Sequence, residues 1–287
     1  MKTRENIIHD AEAWAKTVWN EALLRWSVRS GQDKSYRWHV IYPAIVNILS
    51  KSFQNKHLRI LDLGCGDGIF LDNQNTSELI ANDGAYLGVD ISGELIEKAR
   101  DRHNENNVSF LEGNLSDTDF ARRIIKQESV WDCVLSVFVI QEIPDIESFM
   151  ENLERILKTG AFALIVTVNP DFALWLKQTE RMRIAGDIAN FHEQESPPWR
   201  WAGYYPIVDE PNKVFFLPYF HRTTEDYRSL MERFGIIVEK IIELPDKNDL
   251  PLLMKQGFSP FTPFEHNIYW PRICEEPSAL VIIARKE

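Results

Sequence analysis

Residues 60–70 read ILDLGCGDGIF, an apolar strand running straight into a glycine-rich turn. A turn at the carboxyl end of a strand is where open α/β sheets hold ligands. Gly64 and Gly66 allow tight turning and close approach of the backbone to a ligand. A dinucleotide fingerprint would need its third glycine at position 69; Ile69 stands there and the glycine falls at 68. No Gly-Lys-Ser/Thr follows to cradle a triphosphate. Asp62 precedes the turn and Asp67 lies within it, so a polyphosphate would meet carboxylates whereas a cationic ligand would be favoured. Asp90, 26 residues beyond Gly64, ends the next strand-like run, where a carboxylate can accept both hydroxyls of a ribose. The pattern asks for a nucleoside with a positive end and no phosphate.

The elements that would position these residues alternate. Strand-like runs at 58–63, 85–90, 108–112, 131–137 and 161–168 are short and β-rich, two of them almost wholly apolar. Between them, 92–103, 116–127 and 145–158 are amphipathic, and each opens with a Ser or Asp able to cap a helix; Gly160 follows the last as its stop. Strand–helix alternation predicts a doubly wound parallel sheet. Before it, Ala11, Trp14, Ala15, Val18, Ala22 and Trp26 form one apolar helical stripe, and 42–51 reads as a second helix with Pro43 near its first turn. After 168 the rhythm breaks into a segment dense in Pro, Trp, Tyr and Phe, too aromatic for a disordered linker, which reads as an insertion over one end of the sheet. Residues 222–235 are then a helix with a glycine stop, and 236–244 and 278–286 are two final strands. The organisation expected is a helical segment 1–56, a sheet domain from 57–168 and 222–287, and an insertion 169–221.

The chain has 287 residues, 44% hydrophobic and 26% charged, enough for a sizeable core. Its net charge of −11, with no basic run, argues against nucleic acid as a partner. No apolar run is long enough to span a bilayer and no signal peptide is evident. Cys65, Cys133 and Cys274 are scattered and odd in number, which fits neither a disulfide framework nor a zinc site and suits a reducing cytoplasm. The sequons at Asn75 and Asn114 read as chance in that compartment.

ILDLGCGDG, LGVDIS, LEGNLSD and WDCVLSVFVIQEIPD, in that order and at these spacings, resemble the class I S-adenosylmethionine-dependent methyltransferases over about 58–170, with similarity resuming at 222–287. The cofactor, S-adenosylmethionine (product S-adenosylhomocysteine), fits the reading above: amino acid over the glycine turn, ribose on Asp90. The resemblance implies a Rossmann-like, seven-stranded, mostly parallel sheet with its last strand antiparallel and inserted between neighbours. It places Asp62, Gly64, Cys65 and Gly66 at the methionine part, and Asp90 and Ile91 at the ribose and adenine. Many members follow the third strand with an acid that takes the adenine amino group. Here Asn114 stands instead, with an amide oxygen to accept and an NH₂ to donate to a ring nitrogen. Leu115 would offer its backbone N–H, and Ser136, Val137 and Phe138 would line the cofactor near its sulfur. SYRWHVIYPAI resembles the helical lid of small-molecule members, whose Tyr-Arg pair reaches the cofactor carboxylate, here Tyr36 and Arg37.

For the methyl acceptor, the Asn-Pro-Pro-aromatic motif of exocyclic-amine methylation is missing after the fourth strand, which reads SVFV; Asn169-Pro170 follows the fifth. No pair of acids suggests a catechol-type metal site, so no metal is expected. The expectation is metal-free in-line transfer to a small molecule, with oxygen ahead of nitrogen or carbon. A phenol or alcohol would need a base. His221, just before a helix near the ligand end, is the first candidate, followed by Glu142 and His192. Trp199, Trp201, Tyr204, Tyr205 and Tyr219 form either an aromatic acceptor wall or the insertion's own core. The C-terminal PFTPFEHNIYW is aromatic enough to close a pocket or an interface. Rival readings are a protein or RNA methyltransferase, a non-catalytic S-adenosylmethionine-binding protein, and an enzyme using the same cofactor for another transfer.

Overall fold

The computed structural model of the chain describes residues 4–21, 37–54, 57–81, 83–126, 131–178, 199, 201–210, 213–244 and 277–287. Five strands, β1 (Arg59–Leu63), β2 (Ala85–Asp90), β3 (Val108–Glu112), β4 (Cys133–Val137) and β5 (Phe162–Val168), follow the predicted runs closely. A hairpin of β6 (Trp201–Glu210) and β7 (Lys213–His221) comes next, then β8 (Ile236–Leu244) and β9 (Ala279–Lys286). Seven strands form one sheet in the order β3-β2-β1-β4-β5-β9-β8, and β6 and β7 form a separate two-stranded ribbon. β1 to β5 are parallel. β9 runs antiparallel to both β5 and β8, so the last strand is inserted between its neighbours as the resemblance implied.

Alternate strand residues point to opposite faces, and here both faces are buried. Ile60, Leu135, Leu164 and Val166 join one core cluster with α2 (Tyr42–Phe53), contributing Tyr42, Ile45 and Leu49. Leu61, Leu63, Val134 and Ile165 join a second with α5 (Phe120–Ile125), α6 (Ile146–Ile156) and α8 (Thr224–Arg233). This explains why the strands read as continuous apolar runs rather than alternating ones. Between these helices in chain order lie α3 (Gln74–Leu79), α4 (Gly93–Arg102) and α7 (Pro170–Gln178), and α1 (Arg4–Glu21) precedes them all.

Local capping sets several boundaries. Ser92 caps α4 by accepting from the Leu95 amide, Asp145 caps α6, and Thr223 with Asp226 closes a capping box on α8. Three expectations need correction. Ser116 does not open a helix: its amide donates to Asn114 Oδ1 at 3.0 Å, and α5 begins only at Phe120. α6 ends at Ile156, with Gly160 (φ 77°) in the turn beyond it. In α1 the stripe buries Ala11, Ala15 and Val18, but Trp14 is exposed; Ala22 and Trp26 lie outside the described residues. The ribbon was read only as an aromatic insertion, and its β7 packs against α1 and against a 3₁₀ turn, Ile140–Glu142, after β4. Among the described residues no helix is long and apolar enough to cross a membrane.

Candidate functional site

The turn after β1 is tied to the end of β2, with the Gly64 and Cys65 amides both donating to the Val89 carbonyl at 2.7 and 3.0 Å. Gly64 (φ 83°) packs so closely that a Cβ would lie 2.1 Å from Val139 Cγ2. Gly66 (φ 58°) instead faces open space, with no atom of the described residues within 4 Å of where a Cβ would stand. One glycine closes the turn on the β4 loop, and the other leaves room for a ligand against the backbone. Phe138 also adopts a positive φ of 57°, a strained value for a large side chain. Its ring lies under the Arg37 guanidinium, 5.3 Å from Cζ to centroid.

Two buried carboxylates flank the turn. Asp90 accepts the Gly66 amide through Oδ2 and the Ser92 amide through Oδ1, both at 2.9 Å. The Ile91 amide bears on the same carboxylate, which still keeps an acceptor position for a ligand hydroxyl. Burial raises its pKa despite these bonds. Asp62 accepts from the Tyr86 hydroxyl at 2.5 Å through Oδ2, while its Oδ1 is buried with no partner among the described residues. Burial pushes its pKa up to about 7; the Tyr86 hydrogen bond lowers it, Asp90 raises it, and Arg37 lowers it. A buried acceptor left bare in a cleft is a site for a cationic donor. Asp67, by contrast, already pairs with Arg102 at 2.8 Å.

Arg37, Asp62, Gly64, Cys65, Gly66, Asp90 and Ile91 all line one cleft, about 1100 Å³ when its open mouth is included. Asn114, Leu115, Val137, Phe138 and Glu142 also line it. Glu142 is buried at the cleft edge and accepts from Trp19 Nε1 at 2.9 Å. Other candidates are placed elsewhere. Ser136 points its hydroxyl into the sheet, donating to the Leu63 carbonyl at 3.0 Å. His221 is buried beside the Tyr219 hydroxyl, 3.4 Å from its Nδ1, and does not line the cleft. Trp199 packs on Phe220 with ring centroids 5.0 Å apart, and Trp199 and Tyr219 are both buried off the cleft. Tyr36 and His192, and the side chains of Trp201, Tyr204 and Tyr205, lie outside the described residues.

Sequence reasoning gave 1–56 as a helical lid but did not name the residues of α1 that reach the cleft. Glu12, Ala15 and Trp19, at helical spacing, line the cleft. The apolar stripe gave Ala15, but the polar residue beside it carried no local signal. Arg222 was also missed: it is fully buried and donates to the Ile140, Ile143 and Phe220 carbonyls, fixing the turn that presents Glu142.

A family profile described as a methyltransferase domain matches residues 36–239. The chain belongs to the class I S-adenosylmethionine-dependent methyltransferases. This methyltransferase is 26% identical over 181 residues to a ubiquinone biosynthesis O-methyltransferase of Coxiella burnetii (strain Dugway 5J108-111), covering 60% of this chain and 73% of the relative. Matches to the same enzyme in other Coxiella burnetii strains span about half their length, 55%. In fold, it is similar to an S-adenosylmethionine-dependent methyltransferase from Mesorhizobium loti, with TM-score 0.54, 16% identity, and coverage of 88% of this chain and 99% of that one. It is similar also to magnesium protoporphyrin IX methyltransferase from Synechocystis PCC 6803 with bound S-adenosylhomocysteine, with TM-score 0.58, 12% identity, and coverage of 97% and 100%. The family cofactor suits the described residues: a buried Asp62 oxygen without a partner among them for an ammonium, an acceptor position left on Asp90 for a ribose, and open space at Gly66 between the two.

Proposed function

We propose that this methyltransferase methylates an oxygen of a small, largely apolar molecule, without a metal, and that Glu142 takes up the acceptor's proton. When bound, S-adenosylmethionine supplies a methyl group already activated by its sulfonium. The protein's task is then to orient, exclude water and accept a proton. Asp62 and Arg37 would hold the ammonium and carboxylate of the methionine part, and Asp90 the ribose hydroxyls. Val137 and Phe138 would wall the reacting end. The helical segment 1–56 acts as a lid, and the insertion 169–221 shapes the acceptor side.

The observation that carries the reading is Glu142: a buried carboxylate on the cleft wall, held by Trp19 Nε1 on a turn pinned by Arg222. His221, the stronger candidate by chain position, is turned away against Tyr219. The O-methyltransferase names of the curated relatives support an oxygen acceptor. The test compares Glu142→Gln with His221→Gln for S-adenosylhomocysteine binding and for methyl transfer to a panel of phenols. Loss of a proton acceptor costs about 10²–10⁴ in rate, so Glu142→Gln binds the product normally but transfers at least a hundredfold more slowly, while His221→Gln stays near wild type. The reverse pattern would remove Glu142 from this role.

A further inference from the structure

The base end of the cleft is built by the loop after β3. Asn114 Oδ1 accepts the Ser116 amide at 3.0 Å, so the carboxamide oxygen is turned back into its own loop. Asn152 Nδ2 clamps that loop through the Leu115 and Asp117 carbonyls, both at 2.9 Å. The Asn114 NH₂ is therefore the side turned toward the Glu12 carboxylate, which lines the same cleft and whose pKa this amide lowers. With one lone pair of its oxygen engaged in its own loop, Asn114 offers the cleft chiefly its NH₂. Adenine offers both an exocyclic NH₂ donor and ring-nitrogen acceptors. Among the described residues lining this end, the strongest acceptor beside Asn114 is the Glu12 carboxylate, which has lone pairs beyond those one amide engages.

Glu12 is not a loose surface acid. α1 is tied across the cleft by Lys16 Nζ to Glu112 Oε1 at 2.7 Å, by Ser92 Oγ to Asn20 Oδ1 at 2.7 Å, and by Trp19 to Glu142. Burial raises the Glu12 pKa, as do the nearby Asp145 and Asp117 carboxylates, while the Asn114 bond lowers it. A further donor at this carboxylate relieves that penalty.

We propose that Glu12 reads the cofactor's base: its carboxylate accepts the exocyclic amine of adenine, so the N-terminal helix, rather than the loop after β3, selects adenosyl over 6-oxo nucleosides. The proposal rests on the cofactor placement given above. A 6-oxo base would turn an acceptor toward the carboxylate and lose the bond.

The test is calorimetric titration of the full chain with S-adenosylhomocysteine and its 6-oxo analogue, S-inosylhomocysteine. A hydrogen bond to a charged group is worth roughly 10- to 100-fold in affinity, so wild type prefers the adenosyl ligand by at least about tenfold. In Glu12→Gln the carboxamide can present its NH₂ to a 6-oxygen, and the preference collapses to within about threefold. Glu12→Asp keeps the charge and retains a preference for the adenosyl ligand. Lys16→Ala loosens the helix without touching the base and weakens both ligands equally. If Glu12→Gln behaves like Lys16→Ala, or if wild type does not discriminate, the proposal is overturned while the cofactor placement stands. If wild type melts cooperatively yet binds neither ligand, the cofactor placement fails and the role of Glu12 fails with it.

Discussion

Asp62→Asn isolates the electrostatic tension of the cleft. In the folded protein the Asp62 carboxyl titrates near 7, against an ordinary 3.8, chiefly because it is buried. Between those values the native state holds a proton that the unfolded chain has lost, so this group's contribution to stability falls as pH rises from about 4 to about 7. The rise corresponds to roughly 4 kcal/mol above pH 7, an upper value because water in an open cleft screens the charge. Asparagine cannot ionise, and its carbonyl can still accept from the Tyr86 hydroxyl. Urea unfolding of the ligand-free protein should show the two variants nearly equal at pH 4.5, with Asp62→Asn more stable by roughly 2–4 kcal/mol at pH 8. Burial also raises the pKa of Asp90, Asp72 and Glu12, so the readout is the difference between variants, not the wild-type slope. The same substitution removes the acceptor for the methionine ammonium. Titration with S-adenosylhomocysteine at pH 6 should therefore release a proton from wild type, seen as a buffer-dependent enthalpy, and not from Asp62→Asn. A stability difference that stays flat across pH, or a less stable Asp62→Asn at pH 8, would falsify the account of Asp62 as a strained, ligand-awaiting carboxylate.

The two glycines should separate stability from binding. Gly64→Ala drives a Cβ into Val139 at 2.1 Å and forces a left-handed φ, so a loss of about 2–4 kcal/mol is expected in urea unfolding. Gly66→Ala meets no atom and costs about 1 kcal/mol, yet places a methyl in the ligand's space, so it folds well and binds S-adenosylhomocysteine poorly; equal stability losses at the two sites would contradict the assigned roles. Trp19→Phe removes the indole N–H that donates to Glu142 while keeping an aromatic ring on the cleft wall, and the acid limb of the pH–rate profile should move to higher pH. An unmoved limb would separate that limb from Glu142.

The sheet was legible because its strands carry their own punctuation. β2 and β3 match the sequence reading end to end, each bounded by Gly, Asn or Asp and buried on a side the apolar run announces. The glycine turn was legible because its chemistry is local: positive φ, close approach and flanking acids lie within a few residues. The ribbon was not, since Pro206 and Pro218 interrupt the alternation that would mark β6 and β7 as strands. The helix placed at 116 failed because Asn114 competes for the Ser116 amide, a side-chain bond that propensity does not see. Contacts made at a distance were invisible for a different reason. Glu12 meets Asn114 and Trp19 meets Glu142 across about a hundred residues of chain, and no periodicity in α1 says which polar neighbour of its apolar stripe will find a cleft. The same limit hid Arg222, the buried partner of the cleft turn, beside the His221 that chain position singles out.

These distant contacts give α1 a role that its modest local signal hides. It touches the loops after β2, β3 and β4 through Asn20, through Lys16 and Glu12, and through Trp19. It therefore spans the ribose, base and acceptor ends of one cleft. Asp62 and Asp90, which line the same cleft, are 3% and 8% exposed. The ties that hold α1 over the loops are modest: the Lys16–Glu112 pair is about half exposed on both sides and contributes about 0–1 kcal/mol, and the Asn20 and Trp19 hydrogen bonds add about 1 kcal/mol each. A cationic ligand would supply Asp62 and Glu12 with donors that offset their burial, so its charge adds to these ties, and on the proposed reading the same helix that reads the base sets the carboxylate facing the acceptor.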